Sequence, residues 1–333
     1  MKKVVWGVLG VAKIATQKVI PAMQRGEWSA VHAIASRDYQ RAAASARALG
    51  IPQAYGSYEE LLADPQVEAV YIPLPNHLHV PMTIQAAEAG KHVLCEKPIA
   101  LTADEARQLI AVRDRTGRRI EEAFMVRAHP QWIATRDLVR QGRIGELRAV
   151  SAAFSYFNRD PQNIRNRVAY GGGALMDIGC YAVAMSRYLF QAAPRRVMAL
   201  VERDHEMHVD RLTSAIMDFP EGQSVFTCST QMVAYQRVQV FGTRGRIEIE
   251  IPFNAPPDRP TRILIDDGSS LFGEGVETVE FPIVDQYTIQ GDLFSRAIRE
   301  DAPARFPLED AVQNMAIIDA LFRSAAAQQW QTP

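Results

Sequence analysis

The first third of the chain alternates short, continuous apolar runs with longer amphipathic stretches. Val4–Leu9, Val31–Ala35, Ala69–Ile72 and Val93–Cys95 are β-prone with little polar interruption. Runs of that kind are expected of strands covered on both faces in a parallel sheet. Helical stretches separate them, including Met82–Ala89 and an amphipathic Ala103–Arg113. Ser57-Tyr58-Glu59-Glu60 and Thr102-Ala103-Asp104-Glu105 have capping-box spacing, in which a hydroxyl and a carboxylate satisfy the first free amides of a helix. The alternation predicts βαβ units.

From about Ala123 the pattern changes. A helix through Val139 ends near Gly142, and strands of antiparallel character follow. They are Leu147–Phe157, Arg196–Glu202, Leu212–Phe219, Ser224–Met232, Gln236–Phe241 and Arg246–Ile251. Pro220-Glu221-Gly222 and Gly242-Thr243-Arg244-Gly245 read as hairpin turns. Ile289–Glu300 and Leu308–Ala325 read as amphipathic closing helices. Two domains are expected, over 1–122 and 123–333, and 333 residues are enough for each to bury its own core.

Composition narrows the function classes. A hydrophobic fraction of 47% and a charged fraction of 23% are ordinary for a soluble globular chain. A net charge of −1 gives no field to attract nucleic acid or an anionic membrane. No apolar run approaches the ~20 residues of a membrane span. Met1-Lys2-Lys3 ahead of Val4–Ala12 resembles the start of a signal peptide. Those residues are needed for the first strand and turn, so the segment is expected to be retained. Cys95, Cys180 and Cys228 are odd in number and contain no Cys-x-x-Cys. They suit reduced thiols in the cytoplasm better than disulfides or a zinc site.

The candidate chemistry lies where the apolar runs end. Gly10-Val11-Ala12-Lys13-Ile14-Ala15 follows the first run as a relaxed Gly-x-Gly-x-x-Gly. Its glycine makes the tight turn, and its small residues let backbone approach a pyrophosphate at a helix N-terminus. Gly10, Ala12, Lys13 and Ile14 are therefore expected at a dinucleotide. Ser36-Arg37 stands where an acidic residue would bind a ribose 2′-hydroxyl. A hydroxyl and a guanidinium suit a 2′-phosphate, which favours NADP over NAD. Asp38 keeps NAD open, and Arg37 also reads as a solvated arginine before a helix.

Pro73-Leu74-Pro75-Asn76-His77-Leu78-His79 ends the third run. Pro75, Asn76 and His79 are assigned to the cofactor, with Asn76 and His77 at the nicotinamide ribose. A metal reading of His77 and His79 lacks an accompanying Cys, Glu or His cluster, and no metal is expected. The fourth run ends in Glu96-Lys97-Pro98, two opposite charges on the rim where open α/β sheets bind ligands. Lys97 is placed in an active site and Glu96 beside the cofactor. Arg127-Ala128-His129-Pro130-Gln131-Trp132 is a polar–aromatic cluster suited to a substrate. Arg165 and Asn166 suit sugar hydroxyls, or belong to a mobile surface loop. Gly171-Gly172-Gly173 permits tight backbone near a ligand. Asp177 and Tyr181, four apart, share a helix face. They read either as reacting groups or as a capping aspartate and a half-buried tyrosine.

Taken together, Gly10-x-Ala12, Pro-Asn-His-x-His, Gly-Lys-His-Val-Leu-Cys-Glu-Lys-Pro and Gly171–Tyr181 resemble the Gfo/Idh/MocA oxidoreductases. The likeness is strongest to the branch of glucose–fructose oxidoreductase, NADP-dependent xylose dehydrogenase and dihydrodiol dehydrogenase. It implies a Rossmann domain followed by an α/β domain with a large open, mainly antiparallel sheet. It also implies a catalytic Lys97, a cis Pro98, and Asp177 paired with Tyr181 where many relatives have histidine. In such proteins the sheet commonly packs on a second subunit, so a homodimer through that face is expected.

The activity implied is NADP-dependent hydride transfer to or from a sugar or polyol. Dihydrodiol dehydrogenase and anhydro-sugar reductase are alternatives, as is a non-catalytic NAD(P)-binding sensor. Free lysine and tyrosine titrate near ~10. Placed together, a lysine cation stabilises tyrosinate and desolvation disfavours the ammonium. Tyr181 is then the proton-transfer group and Lys97 the polarising one, or the two exchange roles.

Overall fold

The computed structural model describes residues 2–333. Six strands form the first sheet: β1 Val4–Leu9, β2 Ser29–Ala35, β3 Gln53–Tyr55, β4 Ala69–Ile72, β5 His92–Cys95 and β6 Ile120–Glu122. Their order is β3-β2-β1-β4-β5-β6, and every pair is parallel. This is the doubly wound Rossmann arrangement, whose strand order reverses between β1 and β4. All four residues of β4 are buried, as are Val93–Cys95 of β5, which is why both strands read as unbroken apolar runs. The three-residue β3 and β6 were not predicted. Glu121 and Glu122 in β6 interrupt any apolar signal.

Ser57 and Thr102 cap the helices Tyr58–Ala63 and Ala103–Thr116 by accepting the amides of Glu60 and Glu105. The two glutamates reach back one residue beyond the cap, to the N–H groups of Gly56 and Leu101.

By contact the chain forms two units. One runs to Met125 and takes back Asp285–Val312, and the other comprises Val126–Val284 and Gln313–Pro333. The return segment carries the helix Gln286–Arg299. Its Phe294 packs on Trp6 with ring centroids 5.4 Å apart, and its Ser295 Oγ accepts the Trp6 indole N–H at 2.9 Å. A contiguous boundary at 122/123 does not anticipate this return. Asp292 also accepts the Glu27 and Trp28 amides, and Arg299 pairs with Glu68, contacts that join residues more than 230 positions apart.

Glu121 is 8% exposed, and burial pushes its carboxyl up to about 7 despite Arg119 and Arg305. The folded pKa lies above the ordinary 4.5, so between those values the folded state holds the extra proton. Stability is then lost as pH rises through that window. Glu121→Gln should raise Tm at pH 8 by about 3 °C or more, with most of the difference gone at pH 5. Thermal unfolding at both pH values checks this, and a pH-independent gap counts against it.

The second unit holds eight strands: β7 Leu147–Phe157, β8 Arg196–Arg203, β9 Asp210–Phe219, β10 Gly222–Ser229, β11 Gln231–Gly242, β12 Arg246–Ile249, β13 Thr261–Asp266 and β14 Val276–Phe281. Their order is β14-β13-β12-β11-β7-β10-β9-β8, antiparallel except for the β7–β10 pair. The expected strand Ser224–Met232 is broken at Thr230. There Ser229 Oγ donates to the Arg211 carbonyl at 2.7 Å and accepts the Gln231 amide at 3.0 Å, turning the chain into β11. β13 and β14 were not predicted. β14 is an edge strand in which Glu277, Thr278 and Glu280 are exposed beside an exposed Val276.

Val197, Ala199, Ala215, Met217, Phe226 and Cys228 line the buried face of this sheet. That face meets the helices Cys180–Phe190 and Leu308–Ala327 through Ser186–Ser224 at 2.7 Å and Ala199–Ser324 at 3.2 Å. The opposite face leaves Leu200, Ile216 and Val225 exposed. One stretch departs from the expectation about apolar runs, because Val168–Phe190 is long and apolar enough to cross a membrane by length and composition. Its apolar window is 67% buried within the fold, and the buried Arg187 near its end donates to Gln313 and Asn314. This is a core helix.

Candidate active site

In the first unit the candidate residues collect at the carboxyl ends of β1, β2, β4 and β5. Gly10 follows β1 with φ +123°, and its N–H donates to the Ala35 carbonyl at the end of β2, 2.9 Å away. A Cβ added there would lie 3.0 Å from Leu74 Cδ2 on the β4 loop. Glycine is therefore required both for the backbone and for the close approach. Ala12 begins the helical turn by accepting the Thr16 amide at 3.0 Å, and Lys13 is exposed beside a half-buried Ile14. A π-helical turn, Ala15–Val19, follows.

Ser36 is buried at the end of β2, whereas Arg37 is exposed. The Asp38 carboxylate accepts the amides of Gln40 and Arg41 at 2.9 and 3.3 Å. Asp38 thus caps the helix Tyr39–Leu49 and is turned to the backbone. The residues present fit a dinucleotide: a glycine cradle, a helix start, and an exposed guanidinium at the end of β2.

The β5 loop is fixed from several sides. The Lys97–Pro98 peptide is cis. Glu96 accepts the Tyr71 hydroxyl at 2.6 Å and, with its other oxygen, the Lys97 amide at 3.3 Å. Glu122 accepts the Ile99 amide at 2.8 Å. Lys97 itself is half-buried. Pro75 and Asn76 are likewise half-buried, in the turn closed by Leu78 N–H to the Pro75 carbonyl at 2.8 Å.

His79, expected at the cofactor, is fully buried, and its two ring nitrogens lie 2.7 Å from the carbonyl oxygens of Leu74 and Pro98. Burial pushes its pKa down to about 4, with Lys97 acting in the same direction. The neutral ring has a single N–H and donates to one of these two carbonyls, while both of its nitrogens face the backbone of the β4 and β5 loops.

In the second unit, Asp177 lies in a π-helical turn, Leu175–Gly179, and Tyr181 in the helix that continues from it. π-turns occur often at functional positions. Asp177 accepts the Tyr156 hydroxyl at 2.6 Å on one oxygen and faces Arg165 Nε at 3.0 Å on the other. The Arg165 side chain is 41% exposed, that of Asp177 13%. Tyr181 is 5% exposed, its ring packed on Phe154 and Phe253 at 5.8 and 5.4 Å.

The Arg127–Trp132 cluster, expected near a substrate, is largely buried. Arg127 is only 4% exposed. His129 caps the helix Pro130–Arg140 through the Gln131 amide, and Trp132 Nε1 donates to the Pro252 carbonyl at 2.7 Å. Asn166, 3% exposed, is bonded within its own loop to the carbonyls of Asn158 and Asp160. Tyr71, Glu122 and Tyr156 were missed. They look like ordinary strand residues in sequence, and only the tertiary fold brings them to the loops they hold.

Residues 4–124 match the family described as an oxidoreductase family with an NAD-binding Rossmann fold, and residues 132–248 match the GFO/IDH/MocA C-terminal domain. An uncharacterised oxidoreductase of Rhizobium meliloti is 50% identical over 333 residues, the full length of both chains. D-xylose 1-dehydrogenase (NADP(+)) 2 of Haloferax volcanii is 39% identical over 325 residues, 96% of this chain and 97% of that one. Among solved structures, the 3-ketoreductase KijD10 of Actinomadura kijaniata, in complex with NADP and TDP-benzene, superposes with a TM-score of 0.91 at 28% identity, covering 97% of this chain and 98% of the other. With its parallel Rossmann sheet, its large mainly antiparallel second sheet and its Glu-Lys-Pro loop, the chain belongs to the Gfo/Idh/MocA family of oxidoreductases.

Proposed function

We propose that the protein is an NADP-dependent dehydrogenase that oxidises a sugar or polyol hydroxyl, or reduces the corresponding carbonyl. The observation that carries this reading is the β5 loop: one amine, Lys97, at a ligand-binding sheet rim, on a loop pinned by Tyr71, Glu122 and His79. The NADP-dependent xylose dehydrogenase, alike over nearly its whole length, supports the substrate class and the cofactor. When bound, NADP supplies the hydride acceptor or donor, and Gly10, Ala12, Lys13, Ile14, Ser36, Arg37, Pro75, Asn76 and the Glu96–Lys97 backbone would hold it.

The chain's own groups handle the proton. Tyr181 takes it from, or gives it to, the substrate oxygen, while Lys97 polarises that oxygen and keeps tyrosinate accessible, or the two exchange roles. Asp177 already accepts from Tyr156 and faces Arg165, so it orients substrate rather than moving a proton. Arg165, partly exposed, adds a hydroxyl contact. The apolar stripe Leu200, Ile216 and Val225 supports a homodimer through the second sheet. Three buried free cysteines support a reducing compartment, the cytoplasm.

A second reading, reduction of a keto-sugar carried on a nucleotide, is favoured by the likeness to the 3-ketoreductase complex. A screen of NADP and NAD against aldoses, inositols, aromatic diols and keto-sugars, read by reduced-nicotinamide absorbance, separates these readings. Turnover of an aldose with NADP supports the first. Tight NADP binding without turnover of any substrate supports a sensor instead.

A further inference from the structure

The glycine-rich turn that precedes Asp177 and Tyr181 is built around a residue that its sequence neighbours do not reveal. Asp210 opens β9, is 1% exposed, and accepts the Leu175 amide at 2.6 Å and the Thr213 hydroxyl at 3.1 Å, both on Oδ2. Its other oxygen occupies the space of a missing side chain. Gly173 has φ +118°, and a Cβ there would lie 1.8 Å from Asp210 Oδ1. The Gly173 amide in turn donates to the Arg165 carbonyl at 2.8 Å, and a Cβ on Gly172 would lie 2.3 Å from that same oxygen. The turn therefore closes onto Asp210 on one side and onto Arg165 on the other. Arg165 then faces Asp177.

We propose that Asp210 is a positioning residue for the reaction. Its carboxylate caps the first helical turn after Gly173 and so sets where Asp177 and Tyr181 stand, without touching substrate itself. A carboxylate accepting a first-turn amide satisfies an otherwise orphaned donor and complements the helix dipole. Burial raises the Asp210 pKa to about 6, so at pH 7 the ionised, accepting form prevails. Small displacements of a reacting group are costly, up to about a hundredfold in rate for 1 Å.

The inference rests on Asp177 and Tyr181 being reaction groups, and its test uses a readout independent of turnover. The full-length protein is compared with Asp210→Asn, which keeps an accepting oxygen for Leu175, and with Asp210→Ala, which does not. Asp210→Ala should lower kcat about tenfold or more while leaving the Kd for NADP within about twofold. Amide hydrogen exchange should accelerate across residues 174–181, and Asp210→Asn should recover most of both effects. Unchanged exchange over 174–181 in Asp210→Ala overturns the proposal, as does a lowered Tm with unaltered kcat and KM. If no substrate turns over in the parent protein, the functional reading fails, and the exchange comparison still decides whether Asp210 sets the turn.

Discussion

Replacing Lys97 with methionine should lower kcat by about 10²–10⁴-fold with an aldose substrate, and Tyr181→Phe should do the same. Methionine keeps the unbranched stem of Lys97 and removes its charge, so the loop held by Tyr71, Glu122 and His79 should persist. Phenylalanine keeps the ring contacts of Tyr181 with Phe154 and Phe253 and removes only the hydroxyl. The losses should therefore fall on turnover, with the Kd for NADP nearly unchanged. If the two groups act as a unit, the double variant should lose about as much as either single one, since such effects are non-additive. Near-normal turnover in both variants means that neither group handles the proton.

The second large effect concerns cofactor choice. Arg37→Ala should weaken NADP binding by about 30- to 100-fold, the scale of losing charge-assisted hydrogen bonds to a phosphate, while NAD binding changes little. The prediction gets its direction from the 2′-phosphate, which NAD lacks; Asp38 caps the next helix through Oδ1 alone. Equal losses for the two cofactors in fluorescence titrations would show that Arg37 acts on the shared part of the dinucleotide.

Much of the fold was legible because parallel strands buried on both faces write continuous apolar runs. β1 and β4 fell on their predicted residues, and the capping residues Ser57 and Thr102 announced two helices. The strands that escaped were three residues long, as β3 and β6, or carried charge on an exposed edge, as β14. At the candidate site, local backbone geometry was legible, as in the Gly10 turn and the Lys97–Pro98 peptide. Backbone service by polar residues was not legible: His79 turns both ring nitrogens to loop carbonyls, and His129 caps a helix. Asp210, Glu122 and Tyr156 were invisible because their partners lie 35, 23 and 21 residues away.

The most direct test is to incubate the purified protein with NADP and an aldose deuterated at its anomeric carbon, and to examine the nicotinamide by mass spectrometry. Direct transfer between sugar and cofactor predicts reduced nicotinamide carrying the deuterium, formed by the parent protein and lost with Lys97→Met. NADP that binds yet remains oxidised with every deuterated aldose, polyol and diol tried would contradict an oxidoreductase of this substrate class.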